Sequence, residues 1–230
     1  MTSVVKIRQY KYFDWIMVSF VTLLLCTNLI GAAKVVEIAG FSFGGTLIFF
    51  PLTYLFGDVL TEVYGYKYSR KVIWAGFLAM GFATFVTWLI VVLPPAPGWE
   101  NQREVEIVFK ATPRLALASM LAYFCGEFVN SYVVAKLKIW TQGAFLWVRL
   151  FLSTVFGEAV DSVIIFPVAF YGIWSTELLL KVMFTSYVFK VLWELLAMPL
   201  TYPLVRFLKR VENEDYYDYQ TNFSPFSLKE

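Results

Sequence analysis

Histidine is absent from all 230 residues, and cysteine occurs twice, at Cys26 and Cys125, each inside an apolar stretch. The first absence removes the commonest metal ligand and the side chain best suited to moving protons near neutral pH, so any proton chemistry falls to carboxylates. Two isolated cysteines provide neither a disulfide framework nor a metal-ligand spacing. No Walker-type glycine-rich loop occurs, so nothing in the chain is equipped to hydrolyse ATP. No cofactor motif is present either. Charge is scarce: 16% of residues are Asp, Glu, Lys or Arg, where a soluble domain carries about a quarter. With a net charge of +2 and its basic residues in short clusters, the chain has no surface suited to nucleic acid.

What fills the sequence instead is apolar: 59% hydrophobic residues, 20% of the chain aromatic, and a mean hydropathy of +0.65. Six stretches are long and apolar enough to cross hydrocarbon, at about 13–33, 44–64, 72–93, 114–135, 150–171 and 178–207. They predict an all-α integral membrane protein, a bundle of about six transmembrane helices occupying one domain over 1–210. The first stretch, with Lys6, Arg8 and Lys11 before it and Gly31-Ala32-Ala33 at its end, has the outline of a signal peptide, but its apolar run is too long and more membrane segments follow. Basic residues order the loops. Thirteen fall on one side (Lys6, Arg8, Lys11, Lys67, Arg70, Lys71, Lys136, Lys138, Arg149, Arg206, Lys209, Arg210, Lys229) and five on the other (Lys34, Arg103, Lys110, Arg114, Lys181). Because translocation is hindered by positive charge, both termini are expected in the cytoplasm.

The loop from Pro94 to Pro113 opens on three prolines, a glycine and Trp99, and its second half suits a short interfacial helix. The tail 211–230 is acidic, aromatic and aperiodic, the pattern of a disordered cytoplasmic end. One internal similarity links Gly126-Glu127-Phe128-Val129-Asn130-Ser131 to Gly157-Glu158-Ala159-Val160-Asp161-Ser162. Consecutive spans run in opposite directions, so the pair is a candidate trace of an inverted repeat of the kind transporters use.

Charged side chains inside spans cost roughly 2.5 to 3.5 kcal/mol each on insertion scales, and must face one another or water. Asp58 and Glu62, Glu127 and Asn130, Glu158 and Asp161, and Lys190 and Glu194 are spaced three or four apart, so each pair shares a helix face. At 1.5 Å per residue, Glu127 and Glu158 sit roughly 12 to 14 Å deep, and Asp58 and Lys190 fall near the same level. One lysine cannot neutralise six acids. These eight residues are the candidate substrate-binding set, around a polar cavity at mid-bilayer depth; the plainer reading is that they glue helices together. Gly44-Gly45, Pro51, Pro167, Pro199 and Pro203 are candidate helix breaks, the plainer reading of each proline being a kink; in the second span, whose glycines precede the Asp58/Glu62 face, a break would free backbone groups for a ligand.

The run Phe56-Gly57-Asp58-Val59-Leu60-Thr61-Glu62-Val63-Tyr64-Gly65-Tyr66-Lys67, followed by Arg114-x4-Ser119, Arg149-x3-Ser153-Thr154-x2-Gly157-x3-Asp161-Ser162 and Tyr187-x2-Lys190, resembles the queuosine precursor transporter family, also called the vitamin uptake transporter family. The resemblance implies a bacterial or archaeal inner-membrane importer of 7-deazaguanines such as 7-cyano-7-deazaguanine or its aminomethyl relative. It implies a small-molecule substrate and a lipid surrounding, and is compatible with a homodimer. A guanine-like edge offers adjacent N–H donors that Glu127 or Glu158 could accept, and a carbonyl for Asn130 or Lys190. Two other classes remain: a substrate-binding membrane subunit of an ATP-energised transporter, and an intramembrane enzyme using paired carboxylates.

Overall fold

The structure, a computed structural model, describes residues 9–29, 35–38, 41–109 and 113–227. Outside them lie Gly31-Ala32-Ala33 and, among the residues counted for orientation, Lys6, Arg8, Lys34, Lys110 and Lys229. Six long helices dominate: α1 (Phe13–Leu29), α2 (Thr46–Tyr64), α3 (Tyr66–Val92), α5 (Pro113–Trp140), α6 (Leu146–Phe170) and α7 (Thr176–Glu212). The short α4 (Gln102–Phe109) lies in the proline-opened loop. Between α1 and α2, strands β1 (Val35–Ile38) and β2 (Phe41–Gly44) form an antiparallel ribbon, with Val35 opposite Gly44 and Ile38 opposite Phe41. The sequence reading had no element there.

Lipid is the solvent that explains this surface. Trp15, Leu78, Phe82, Phe85, Trp88, Phe184 and Leu196 all point outward, while Arg70, Lys138, Arg149, Glu62 and Glu158 are fully buried. That inversion of the usual distribution is what a hydrocarbon surrounding selects. Helices α3, α6 and α7 are each long and apolar enough to span a bilayer, and the chain is a multi-pass membrane protein.

None of the expected helix breaks interrupts a helix. Gly44 and Gly45 precede α2, which runs unbroken through Pro51, and Pro167, Pro199 and Pro203 lie inside continuous α6 and α7. The break falls instead at Gly65, whose φ of +83° lets the chain pass from α2 into α3 through a single residue. A side chain there would strain the backbone and run into the ring of Tyr216.

The two chain ends meet. Backbone N–H groups of Lys11 and Tyr12 donate to Glu212 at the end of α7 (2.9 and 2.6 Å), as does the Tyr64 hydroxyl (3.0 Å). Tyr10, Phe13, Tyr64 and Tyr68 pack edge to face around this junction. The start of α1 and the end of α7 therefore lie at one membrane face, as an even number of spans requires.

Residues 213–227, whose composition suggests disorder, lie along this same face in a defined path. Tyr216 N–H donates to Val63 O (3.2 Å), Tyr66 N–H to the Asp218 carboxylate (3.1 Å), Arg70 to the carbonyls of Asn222 and Ser224 (2.7 and 2.9 Å), and Trp74 to Pro225 O (2.8 Å). The aromatics that make the tail look aperiodic are anchors: Phe223 packs on Tyr66 and Tyr132, and Phe226 on Trp74.

Candidate functional site

Helices α5 and α6 form the centre of the bundle because glycines let them touch. A Cβ added at Gly126 would meet Gly157 O at 3.2 Å and the Asp161 Cβ at 3.2 Å. One added at Gly157 would meet Gly126 O at 3.2 Å and the Asn130 Cβ at 3.0 Å. The contacts are reciprocal, Gly126 answering Gly157 and Asn130 answering Asp161, so the two matching motifs face each other across a local pseudo-twofold axis.

Polar groups from α2 and α7 close on this pair from either side. Asn130 donates to Asp58 of α2 (2.9 Å), and Ser153 of α6 lies 3.4 Å from the same Asp58 oxygen. On the other side, Lys190 of α7 bridges Asp161 (2.5 Å) and Glu158 (3.1 Å) of α6. Glu127 is buried facing Gly57, where a Cβ would stand 2.9 Å from its Oε2. Glu194, also buried, lines a small cavity of about 10 Å³ with Asp58, Thr154 and Thr201. Asp58, Glu127, Asn130, Glu158, Asp161, Lys190 and Glu194 thus occupy one buried region where four helices meet. Among the described residues neither Asp58, Glu127 nor Glu194 has an ion-pair partner.

Glu62 belongs elsewhere. One helical turn beyond Asp58, it is fully buried and takes a two-pronged contact from Arg149, Nε to Oε2 and Nη2 to Oε1, both 2.8 Å. Lys209 adds a contact at 2.5 Å and Lys138 one at 3.7 Å. Asp215 of the tail pairs in turn with Lys138 (2.6 Å) and Lys209 (2.8 Å). Five charges from α2, α5, α6, α7 and the tail so interlock at the face that carries the termini. Lys138 and Lys209 entered the sequence reading only as orientation charges, and Arg149 as an orientation charge and a residue of the family-like motif; nothing in their spacing announces a shared partner. Asp215 lies outside the spans. Burial raises its pKa, but hydrogen bonds from Lys138 and Lys209 and their charges prevail and hold it below the usual carboxylate range.

Among the described residues the opposite face holds a cavity. A cavity of about 610 Å³ lies between the far ends of α1, α2, α3 and α5, with Thr27, Asn28, Thr84, Thr87, Trp88 and Ser119 in its wall. That is the size of a small-molecule pocket. Among the described residues no charged side chain lines it. Ser119 and Glu127 are two turns apart on α5, about 12 Å along the axis, so the cavity ends short of the buried acids. Ser153, Thr154 and Tyr54 stand within the polar region without having been singled out as ligands. Among the described residues no group of three His, Cys, Asp or Glu side chains is placed to hold a metal ion, and both cysteines are free.

Residues 44–204 match the model of a family described as "Putative vitamin uptake transporter". The chain is 31% identical over 191 residues to the "Probable queuosine precursor transporter" of Bacillus subtilis (strain 168), covering 83% of this chain and 81% of that one. It is 24% identical over 188 residues to the "Queuosine precursor transporter" of Escherichia coli (strain K12), covering 80% and 82%. With a "Probable queuosine precursor transporter" of Haemophilus influenzae it shares 32% over 134 residues, 55% of this chain and 51% of the relative. No solved structure matches.

Proposed function

Because this chain belongs to the vitamin uptake transporter family and is a transporter and not an enzyme, we propose that it imports queuosine precursors, 7-cyano-7-deazaguanine or 7-aminomethyl-7-deazaguanine, across the inner membrane. The observation that carries the proposal is the meeting of α2, α5, α6 and α7 at one buried polar region, in which Lys190 bridges Glu158 and Asp161 beside the Asp58–Asn130 contact. A 7-deazaguanine needs such a mixture. Its amidine-like edge presents adjacent N–H donors to a carboxylate and its ring carbonyl accepts from Lys190 or Asn130. Asp58, Glu127, Asn130, Glu158, Asp161, Lys190 and Glu194 form the substrate site in this proposal, and Glu62 seals it.

The two faces suit alternating access. The face with the termini is closed by the Glu62–Arg149–Lys138–Lys209–Asp215 network and the tail, and carries the basic excess that marks it as cytoplasmic. The open neutral cavity faces outward and ends above the polar region. Substrate enters there, displaces the contacts of Lys190 and Asn130, and leaves when the ionic network opens.

The test is uptake of labelled 7-cyano-7-deazaguanine and 7-aminomethyl-7-deazaguanine by cells unable to make either, comparing wild type with Asp161→Asn, Lys190→Ala and Glu127→Ala at matched membrane levels. A hydrogen bond to a charged group is worth about 1.5 to 3 kcal/mol, so each substitution lowers apparent affinity roughly 10- to 100-fold. Uptake of both compounds unchanged in all three variants overturns the site.

A further inference from the structure

The acids of the polar region fall into two groups, and among the described residues one of them has no cation. Lys190 is engaged with Glu158 and Asp161. Asp58 and Glu194, reaching in from α2 and α7, line the separate small cavity, whose other walls are Leu55, Leu150, Ala197, Met198 and the two threonines Thr154 and Thr201. Glu194 is 6% exposed, and neither of its oxygens receives a hydrogen bond. Thr154 of α6 is near enough to act on Glu194, but its single hydroxyl proton is given to Leu150 O (2.9 Å). The hydrogen bonds that Asp58 receives, from Asn130 and Ser153, both arrive at Oδ1.

Every other charge that bears on this cavity is negative or already taken. Glu127 from α5 and Glu158 from α6 act on Glu194, and Glu62 lies a turn below Asp58 on α2. Asp161 on α6 and Lys190 on α7 are paired with each other. Tyr54 on α2 faces Glu158 and Asp161. Two ionised carboxylates against apolar walls, with no counter-charge, would cost several kcal/mol each in effective desolvation, before their mutual repulsion. A proton between them removes one charge and supplies a donor. The cavity, at about 10 Å³, is at the lower limit for a single water molecule, which suits a proton's path and not a second organic ligand.

We infer that this cavity is a proton-carrying site, in which Asp58 and Glu194 share one proton that crosses the membrane with each substrate molecule. The inference rests on the transport activity proposed above and adds the coupling ion. The pair holds this proton before substrate enters, releases it to the cytoplasmic side when the Glu62 network opens, and takes up another from the outer side on return, so it regains its starting charge after each cycle.

The protein, purified and reconstituted into liposomes, decides it in two arms. In the first, accumulation of labelled 7-cyano-7-deazaguanine is read under an imposed pH gradient, acid outside, and separately under a sodium gradient. One proton per substrate gives up to tenfold accumulation per pH unit, and Glu194→Gln and Asp58→Asn accumulate no more with the gradient than without it. A wild type driven by sodium and indifferent to pH, or variants driven as strongly as wild type, overturn the site. The second arm needs no substrate. Infrared spectra of the protein without ligand contain the carbonyl band of protonated carboxylic acids at neutral pH, and a component of it disappears in both Glu194→Gln and Asp58→Asn. Spectra identical to wild type in both variants overturn the proton site, whichever compound is transported. Wild type that fails to move the 7-deazaguanine while keeping this component rejects the substrate assignment alone.

Discussion

At the scale of single residues, Glu62 shows how far four positions along a helix can separate two acids. It shares a face of α2 with Asp58, but the turn between them is about 6 Å of depth, which takes Glu62 out of the polar region and into contact with Arg149, Lys209 and Lys138. A carboxylate so buried is held by its partners, and removing one side of a buried pair costs about 3 to 5 kcal/mol. Glu62→Gln is therefore expected to lower the melting temperature of the detergent-purified protein more than Glu194→Gln does. Arg149→Lys, which keeps the charge but loses the fork, falls between wild type and Glu62→Gln. Gly157 makes a complementary case. With Gly126 O and the Asn130 Cβ at 3.2 and 3.0 Å from an added Cβ, Gly157→Ala must push α5 from α6, an overpacking cost of about 1 to 3 kcal/mol. Gly172→Ala, at a glycine with nothing within 4 Å of the added Cβ but with a φ of +80°, strains the backbone and leaves the α5–α6 contact alone. Thermal unfolding of both variants separates the costs, and a loss of substrate affinity is expected of Gly157→Ala alone.

The element whose behaviour depends most on solution conditions is the tail, residues 213–227. Its Asp215 is held below the usual carboxylate range by Lys138 and Lys209. Its contribution is present above the unfolded value of 3.8 and is lost as pH falls below that through the lower folded value. Asp218 acts in the opposite sense: burial raises its pKa against hydrogen bonds from Thr221 and Tyr66, so its charge weakens attachment as pH rises above 3.8. The two windows do not overlap, and attachment is strongest between them. Proteolysis of the tail in detergent is expected to accelerate below pH 4, and the acceleration disappears in Asp215→Asn. A tail cut no faster at pH 3 than at pH 4 in the wild type removes this account. The helices themselves needed no such help: α1, α2, α3, α5, α6 and α7 begin and end within a few residues of the six apolar runs, because hydrocarbon demands that each backbone polar group be paired within its own segment.

For the whole molecule, the closed and open faces predict a coupled opening. A thiol placed at Ser153, after Cys26 and Cys125 are replaced, is buried against Asp58 in wild type. In a chain that also carries Lys209→Ala and ends at residue 213, a charged thiol reagent on the cytoplasmic side labels it several-fold faster, since Lys209 and the Asp215 carboxylate that pairs with Lys138 are gone. Labelling at the wild-type rate would show that the network is not the gate.

Amino-acid order alone was enough for the solvent and the helices, because hydropathy and the fixed 1.5 Å rise are local properties that no partner alters. It also held the Gly126/Gly157 similarity, whose meaning as a reciprocal contact required both helices in place. Which acids keep a cation was decided only in three dimensions. Lys190 goes to Glu158 and Asp161, Arg149 to Glu62, and among the described residues none to Asp58 or Glu194, since pairing depends on how α2, α6 and α7 turn toward one another. The tail's order likewise comes from receptors on α3 and α5 far away in the chain, and a segment anchored by distant donors has no periodicity of its own to display.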